Sequence, residues 1–427
     1  MSDTLRPRSN RSSKQNTVAR HGRLKKSNPW AAVVRILAST LAVVLISTVS
    51  VAGIAAYDVA ASVQEGVHLA NETEGPVPQI GAIDGGVNLL LVGSDSRAGQ
   101  DPAFGNEDDT GDLNDVTMLL HISQDHSNAS VISFPRDMYV PIPECTDPET
   151  GYTSSAMSRQ KINTTLSYGG LSCTVATVEQ LTGLSIPFAA EVQFSGVIAM
   201  STAVGGVPVC VAEPIEDEYT GMFLDAGEHL LAGVDALQFL RTRHGIGDGS
   251  DLTRINNQQV FMSSLVRTIK SADTLSDPLK VYSLAKAVTG NMVLSDSLNN
   301  VDRIVSIALA LKNIDLNDVV FVQVPTGSTE GGVVPLQDDF DEMFAAIAAD
   351  QPIALGGTTG NGSTIDPNAP VTDAPATDTT TDAAVDPAAP VDPSATTAPT
   401  TTVLPSSATG QTAGQYTCSV GRTLDDQ

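Results

Sequence analysis

Residues 87–97 read VNLLLVGSDSR. Val87 to Gly93 is a continuous apolar run of strand length with no polar alternation, the pattern of a strand buried on both faces. It stops at Gly93, Ser94, Asp95, Ser96 and Arg97. Two further strands follow: Val116 to Ile122, introduced by Asn114 and Asp115, and Ser130 to Phe134, ending in Pro135, Arg136 and Asp137. Helical spacing then appears over Cys173–Leu181, closed by Gly183, and over Phe194–Val204, with the alternating run Phe188–Phe194 between them. Leu252 to Ile269 sets Ile255, Met262, Leu265 and Ile269 on one stripe. Helices near Leu279–Val288, Val301–Leu311 and Phe340–Ala349 surround one more strand, Val319–Val324. Strands alternating with helices predict an α/β domain whose sheet is largely buried.

The chain has 427 residues and a formal net charge of −26, unevenly placed. Residues 1–35 hold nine Lys and Arg against one acid, Asp3, which leaves 14 basic and 48 acidic residues in the remainder, a net of −34. That acidic body excludes a nucleic-acid partner. Ile36 to Tyr57 are 22 residues without a charge, and at about 1.5 Å per residue they span roughly the 30 Å hydrocarbon core. The basic flank before them predicts a cytoplasmic N-terminus and an extracellular remainder. A cleaved signal peptide is the competing reading; the run is longer than a signal h-region, which favours an uncleaved single-pass anchor in the cell membrane.

The expected organisation is a basic cytoplasmic segment over 1–35, a transmembrane helix over 36–57, a stalk over 58–86, a folded domain over 87–350 and a tail over 351–427. The tail is rich in Thr, Ala, Pro and Asp with hardly any aromatic residues. Such a composition buries too little apolar surface to offset ordering entropy, so disorder is expected. Four cysteines, Cys145, Cys173, Cys210 and Cys418, lie on the outer side. An even count in an oxidising compartment predicts disulfides, and three connectivities are open. Cys145 with Cys173, flanking one loop-rich region, is the preferred pair, leaving Cys210 and Cys418 paired or free.

The scarce basic residues cluster. Of the fourteen beyond residue 35, seven fall in four short segments: Arg97, Arg136, Arg159 with Lys161, and Arg241 with Arg243 and Arg254. Two of these segments begin where a strand ends, and ligands of open α/β sheets bind beyond strand carboxyl ends. The stretch 236–259, ALQFLRTRHGIGDGSDLTRINNQQ, places Arg241 and Arg243 where an apolar helical pattern stops, before a loop with Gly245, Gly247 and Gly249. Ser250 or Asp251 then caps a helix on which Arg254 and Gln258 share a face. If the chain straightens after Phe239 both guanidiniums point one way and suit a phosphate or pyrophosphate. Arginines beside the last carbonyls of a helix are the plainer alternative. Asp95 and Asp115 share the rim, and a magnesium ion that also binds phosphate oxygens gives them a reason to ionise together. Ion pairing that merely fixes the loops competes with that reading.

The segments GSDSR (93–97), NDVTMLLHI (114–122), SFPRDMYVPIP (133–143), KINTTLSYGG (161–170), AVGGVPVCV (203–211) and ALQFLRTR with DGSDLTRINNQQ match, in order, motifs of the LytR-CpsA-Psr family. The chain resembles the extracellular domain of that family over roughly 85–270, with helical continuation to about 350. The resemblance implies a single extracellular α/β catalytic domain over 87–350, with a central mixed sheet flanked by helices and preceded by one transmembrane helix. It implies a phosphotransferase that moves a glycopolymer from a polyprenyl-pyrophosphate carrier to a cell-wall acceptor, foremost peptidoglycan, releasing polyprenyl phosphate. Asp95 and Asp115 match the family's Mg²⁺-associated aspartates, for which Mn²⁺ is an alternative ion. Arg97, Arg136, Arg241 and Arg243 match its pyrophosphate-binding arginines, with Asp95, Arg136, Arg241 and Arg243 in catalytic roles. Lys161 and Gln258 match positions touching the head group, and Asp251 and Arg254 stand at supporting positions. Val116 departs from the Thr that usually follows the aspartate, and an acidic insertion precedes Asp115.

A polyprenyl tail needs an apolar groove, expected between sheet and helices and lined by Phe194, Ile198, Phe239, Phe261 and Leu265. Ordinary core packing accounts for any one of them as well. A pyrophosphate hydrolase and a non-enzymatic wall or signalling protein that grips polyprenyl phosphates are the competing functions. The Ala-rich acidic composition, extra cysteines and Thr/Pro tail resemble an actinobacterial version, which favours arabinogalactan among the possible polymers.

Overall fold

Val87–Ser94 forms a strand near the middle of a seven-stranded mixed sheet. The computed structural model describes residues 29–61, 66–69, 86–97, 112–148, 150–271, 278–369 and 401–427. Across the sheet the order is Met292–Leu294, Phe188–Val192, Val87–Ser94, Asn114–Ile122, Ala129–Phe134, Val319–Gln323 and Gly410–Thr412. Val87–Ser94 runs parallel to Phe188–Val192, and Ala129–Phe134 runs parallel to Val319–Gln323; the remaining neighbours are antiparallel. Successive side chains of a strand point to opposite faces. Leu90 and Val92 enter a core with Leu171 and Val175 of the helix Thr165–Thr182 and with Phe340 and Phe344 of the helix Gln337–Ala348. Leu89 and Leu91 pack on the other side with Val197 and Met200 of the helix Phe194–Ala203 and Ile307 of the helix Val301–Asn313. Covered on both faces, the strand has no use for polar alternation, which is why its sequence shows none.

A second sheet holds Gly227–Leu231, Val207–Val211, Thr417–Ser419 and Ser363–Ile365 in that order. Val207, Val209 and Val211 bury against Phe239, Phe261 and Leu265. The helix Asp251–Lys270 packs on both bodies, since Met262 touches the second core and the main-sheet core alike. It starts where Ser250 accepts a hydrogen bond from the Thr253 amide, so Ser250 is the cap. The helix Thr165–Thr182 begins eight residues before the expected Cys173, because Gly169 and Gly170 kink it and hide its first turn from the periodicity; Gly183, φ 73°, ends it as expected.

Both cysteine pairs are closed, Cys145–Cys173 and Cys210–Cys418. The second, with the strands below, corrects the expectation of a disordered tail over 351–427 at its described residues, 351–369 and 401–427. Thr402–Val403, Gly410–Thr412 and Thr417–Ser419 are strands, two of them in the sheets just described. Composition misled here because few side chains carry the packing: Leu404, Ala408, Ala413 and Cys418 are buried, and backbone pairing does the rest. Residues 370–400 of that stretch lie outside the described residues. The expected stalk over 58–86 also differs, since Val67 donates its amide to Leu294 O at 2.8 Å and Leu69 is buried. The helix expected over 36–57 runs over Pro29–Ala61, and Ala32–Ser50 within it is long and apolar enough to cross a membrane.

Candidate active site

The register of the main sheet decides which residues meet. Asn114–Ile122 is antiparallel to both Val87–Ser94 and Ala129–Phe134, with Gly93 opposite Val116 and Thr117 opposite Phe134. The end of the first strand, the start of the second and the end of the third therefore share one sheet edge. That edge carries Asp95 and Arg97, Asp115, and Arg136 with Asp137. The helix Asp251–Lys270 points its first turn at the same edge, where Arg254 Nη2 donates to Asp115 O at 2.7 Å.

Asp115 is the hub. Arg136 Nη1 donates to its Oδ1, and Arg254 Nη1 lies 3.6 Å from its Oδ2. Asp251 Oδ1 sits 2.7 Å from Arg254 Nη2 and 3.4 Å from Arg136 Nε. Asp137 joins Lys161 at 2.7 Å and Arg136 at 3.8 Å. Burial works to raise the Asp115 carboxyl, but Arg254, Arg136 and Arg241 overcome it and hold the group below the usual carboxylate range. Asp95 goes the other way: burial first, then the charges of Asp115 and Asp112, push it up against a hydrogen bond from the Leu113 amide at 2.9 Å.

Arg97, Arg241 and Arg243 have no carboxylate within ion-pair distance among the described residues. The Nε atoms of Arg97 and Arg243 are buried without a hydrogen-bond acceptor among the described residues. Burial, then repulsion from Arg136 and Arg254, pushes the Arg243 guanidinium down; burial, with Arg97 and Arg254, does the same to Arg241. Buried donors ordinarily find acceptors. Two that do not, beside Arg241 and crowded by like charge in a strongly acidic protein, make this edge a candidate site for an anion.

Arg241 is the last residue of the helix Val234–Arg241, and the chain straightens only at Thr242, two residues later than straightening after Phe239 requires. Both alternatives of the sequence reading thus hold in part: Arg241 ends a helix, and Arg243 follows an extended residue. Asp217, unread in the sequence, organises that corner. Wholly buried, it accepts from Thr242 Oγ1 at 2.6 Å and from the Arg243 amide at 3.0 Å. In the sequence it stands between Glu216 and Glu218, with nothing to set it apart from its acidic neighbours. Arg159 stacks on Tyr139 at 4.1 Å and joins no carboxylate of the cluster.

Beside the arginines opens an apolar cavity of about 960 Å³, mouth included. Asp115, Arg241, Arg254 and Gln258 line it together with Phe194, Phe261 and Leu265, and the Arg241 guanidinium lies 4.4 Å over the Phe194 ring. Two expected groove residues are not in the lining. Phe239 is wholly buried behind Phe261, with ring centroids 6.2 Å apart. Ile198 falls off the helical stripe Phe194, Val197, Ser201 that faces the cavity. Gln258 donates to Leu240 O at 3.2 Å, which fixes its amide at the mouth.

Among the described residues, three potential metal ligands converge only at Cys210, Cys418 and Asp366, and the disulfide occupies both sulfurs. At the sheet edge the donor set suits Mg²⁺. One Asp95 oxygen accepts from Leu113, and the other has no protein hydrogen bond among the described residues. Hard carboxylate oxygens, one or two per ion with phosphate completing the shell, are what Mg²⁺ takes.

Fold and site together define an α/β protein with an N-terminal helix long and apolar enough to cross a membrane and with a cluster of arginines and aspartates at one sheet edge, next to an apolar cavity. The chain belongs to the LytR_cpsA_psr family, whose model matches residues 52–347. It is 31% identical over 300 residues to the cell wall biosynthesis protein LcpA of Corynebacterium glutamicum, covering 63% of this chain and 55% of that one. It is 28% identical over 307 residues to the polyisoprenyl-teichoic acid–peptidoglycan teichoic acid transferase TagT of Bacillus subtilis, covering 67% and 88%. The match to LcpA thus spans about half of that relative's length. A LytR-Csp2A-Psr enzyme from Actinomyces oris shares the fold, with a TM-score of 0.50 and 22% identity over 66% of this chain and 97% of that one.

Proposed function

We propose that this protein is a phosphotransferase that moves a glycopolymer from a polyprenyl-pyrophosphate carrier to peptidoglycan at the outer face of the cell membrane. One observation supports this above the others: Arg241, with no carboxylate in ion-pair reach among the described residues, lines an apolar cavity beside the cationic sheet edge, which suits an amphiphile with an anionic head and a hydrocarbon tail. TagT, by name a transferase of polyisoprenyl-linked teichoic acid to peptidoglycan, is a relative in keeping with it. In this reading Arg97, Arg241 and Arg243 bind the pyrophosphate oxygens, with Arg136, Lys161 and Gln258 completing the head-group contacts. Asp251 and Arg254 hold Arg136 and Asp115 in place. Mg²⁺ held by Asp95 and Asp115 would neutralise phosphate charge. An acceptor hydroxyl attacks the sugar-side phosphorus, the P–O–P bond breaks, and the electron pair leaves with polyprenyl phosphate. Asp95, with its raised carboxyl, is the candidate to take the hydroxyl proton. The chemistry then rests on placement and on charge neutralisation in a dry site. The nine basic residues of 1–35 support a cytoplasmic N-terminus and an extracellular domain.

Phosphorus-31 spectra of full-length protein in detergent, with lipid-linked glycan and a peptidoglycan acceptor, test the proposal. Polyprenyl phosphate and a new phosphodiester should appear together, and Arg241→Ala should slow both by about 10²-fold or more. Glycan phosphate formed without an acceptor would mark a hydrolase. Binding of the lipid with no turnover in any divalent metal would mark a binder.

A further inference from the structure

We propose that the C-terminal segment Thr417–Arg422 is a positioning element of the anion site, bracing the glycine-rich loop that carries Arg243. The inference rests on the anion-site reading above, and the segment lies beyond the residues 52–347 matched by the family. The loop Thr242–Gly249 has three glycines in its last five residues, so its own sequence holds it weakly. On one side Asp217 grips Thr242 and Arg243. On the other the C-terminal segment supplies the partners: Arg422 donates its amide to Gly245 O at 2.8 Å, Gly247 donates to Val420 O at 3.0 Å, and Ile246 bridges Gly421. The loop's backbone groups are thereby satisfied by a segment about 170 residues downstream, and withdrawing it leaves them without those partners.

The brace is tied in at three further points. Cys418 is bonded to Cys210. Ser419 Oγ donates to Asn257 Oδ1 at 2.5 Å, and Asn257 Nδ2 donates to Phe239 O at 2.7 Å, linking the brace to both helices that present the arginines. The Glu216 amide donates to Arg422 O at 3.1 Å, so the brace also holds the strand that presents Asp217. Gly421 makes the approach possible, since a Cβ there would collide with the backbone oxygens of Glu213 and Pro214.

A protease site placed between 370 and 399 turns the full chain into two pieces joined through the Cys210–Cys418 disulfide, the contacts above and the pairing of Thr402–Val403, Gly410–Thr412 and Thr417–Ser419 with strands of the larger piece. Binding of farnesyl pyrophosphate and of farnesol is then measured on the uncut chain, the cut chain, and the cut chain after reduction and removal of the C-terminal peptide. The uncut chain, reduced or not, and the oxidised cut chain should bind the pyrophosphate alike. Loss of the peptide should weaken pyrophosphate binding at least tenfold while farnesol binding stays, and added peptide should restore it. Unchanged pyrophosphate affinity without the peptide overturns the inference, as does equal loss of both ligands, which marks general collapse. Gly421→Ala in the uncut chain should show the same selective loss, and a Gly421→Ala chain with wild-type affinity also overturns it. Failure of the uncut chain to bind pyrophosphate would overturn the anion-site reading itself.

Discussion

Asp115 and Asp95 lie on one sheet edge, yet their surroundings drive them apart. Guanidiniums of Arg254 and Arg136 keep Asp115 ionised against burial, whereas burial and the neighbouring Asp115 push Asp95 up. In the proposed reaction Asp115 is the member committed to charge and Asp95 the candidate to exchange a proton. Asp217 shows the same physics in a structural role. Burial works to raise it, but the Thr242 hydroxyl and the amides of Arg243, Thr220 and Gly245 prevail and lower it. A carboxyl depressed on folding contributes stability above its unfolded value and loses that contribution as pH falls through its folded value. Asp217→Asn should therefore cost about 2 kcal/mol at neutral pH. The gap to the wild type should close as pH falls below about 4, which urea unfolding at several pH values would reveal.

The helix Asp251–Lys270 is the element on which site and core depend together. Its first turn supplies Asp251 and Arg254, its middle supplies Gln258, Phe261 and Leu265, and its start is capped by Ser250. Ser250→Ala should lower stability by about 1 kcal/mol. It should weaken head-group binding more than it weakens farnesol binding, because fraying begins at Arg254. This helix was legible in the sequence, its cap narrowed to Ser250 or Asp251, because apolar periodicity and a serine before an acid are local signals. The strands flanking Asp95, Asp115 and Arg136 were legible for the same reason. Asp217 was not, since its partners Thr242 and Arg243 lie 25 and 26 residues away and no periodicity joins them. Phe239 and Ile198 failed as cavity residues because an apolar pattern tells which face of a helix is buried but not against what.

At the scale of the molecule, an acidic body stitched by two disulfides surrounds a cationic mouth. The tail was misread because its order comes from a partner 208 residues away, Cys210, and from the sheet edges it joins. Closing that long loop removes more unfolded-state freedom than the 28-residue separation of Cys145 and Cys173. Replacing Cys210 and Cys418 by serine should therefore cost roughly 2 kcal/mol more than replacing Cys145 and Cys173, in denaturant unfolding of each double variant. The central claim, that Arg97, Arg241 and Arg243 are left unpaired in order to grip a diphosphate, is tested most directly by calorimetric titration with pyrophosphate and Mg²⁺. Wild-type protein should bind pyrophosphate more tightly than phosphate, and more weakly as salt rises. The chain carrying Arg97→Ala, Arg241→Ala and Arg243→Ala together should lose that binding while melting at the same temperature or higher, because crowded like charges have been removed. Undiminished pyrophosphate binding by that triple variant would contradict the account.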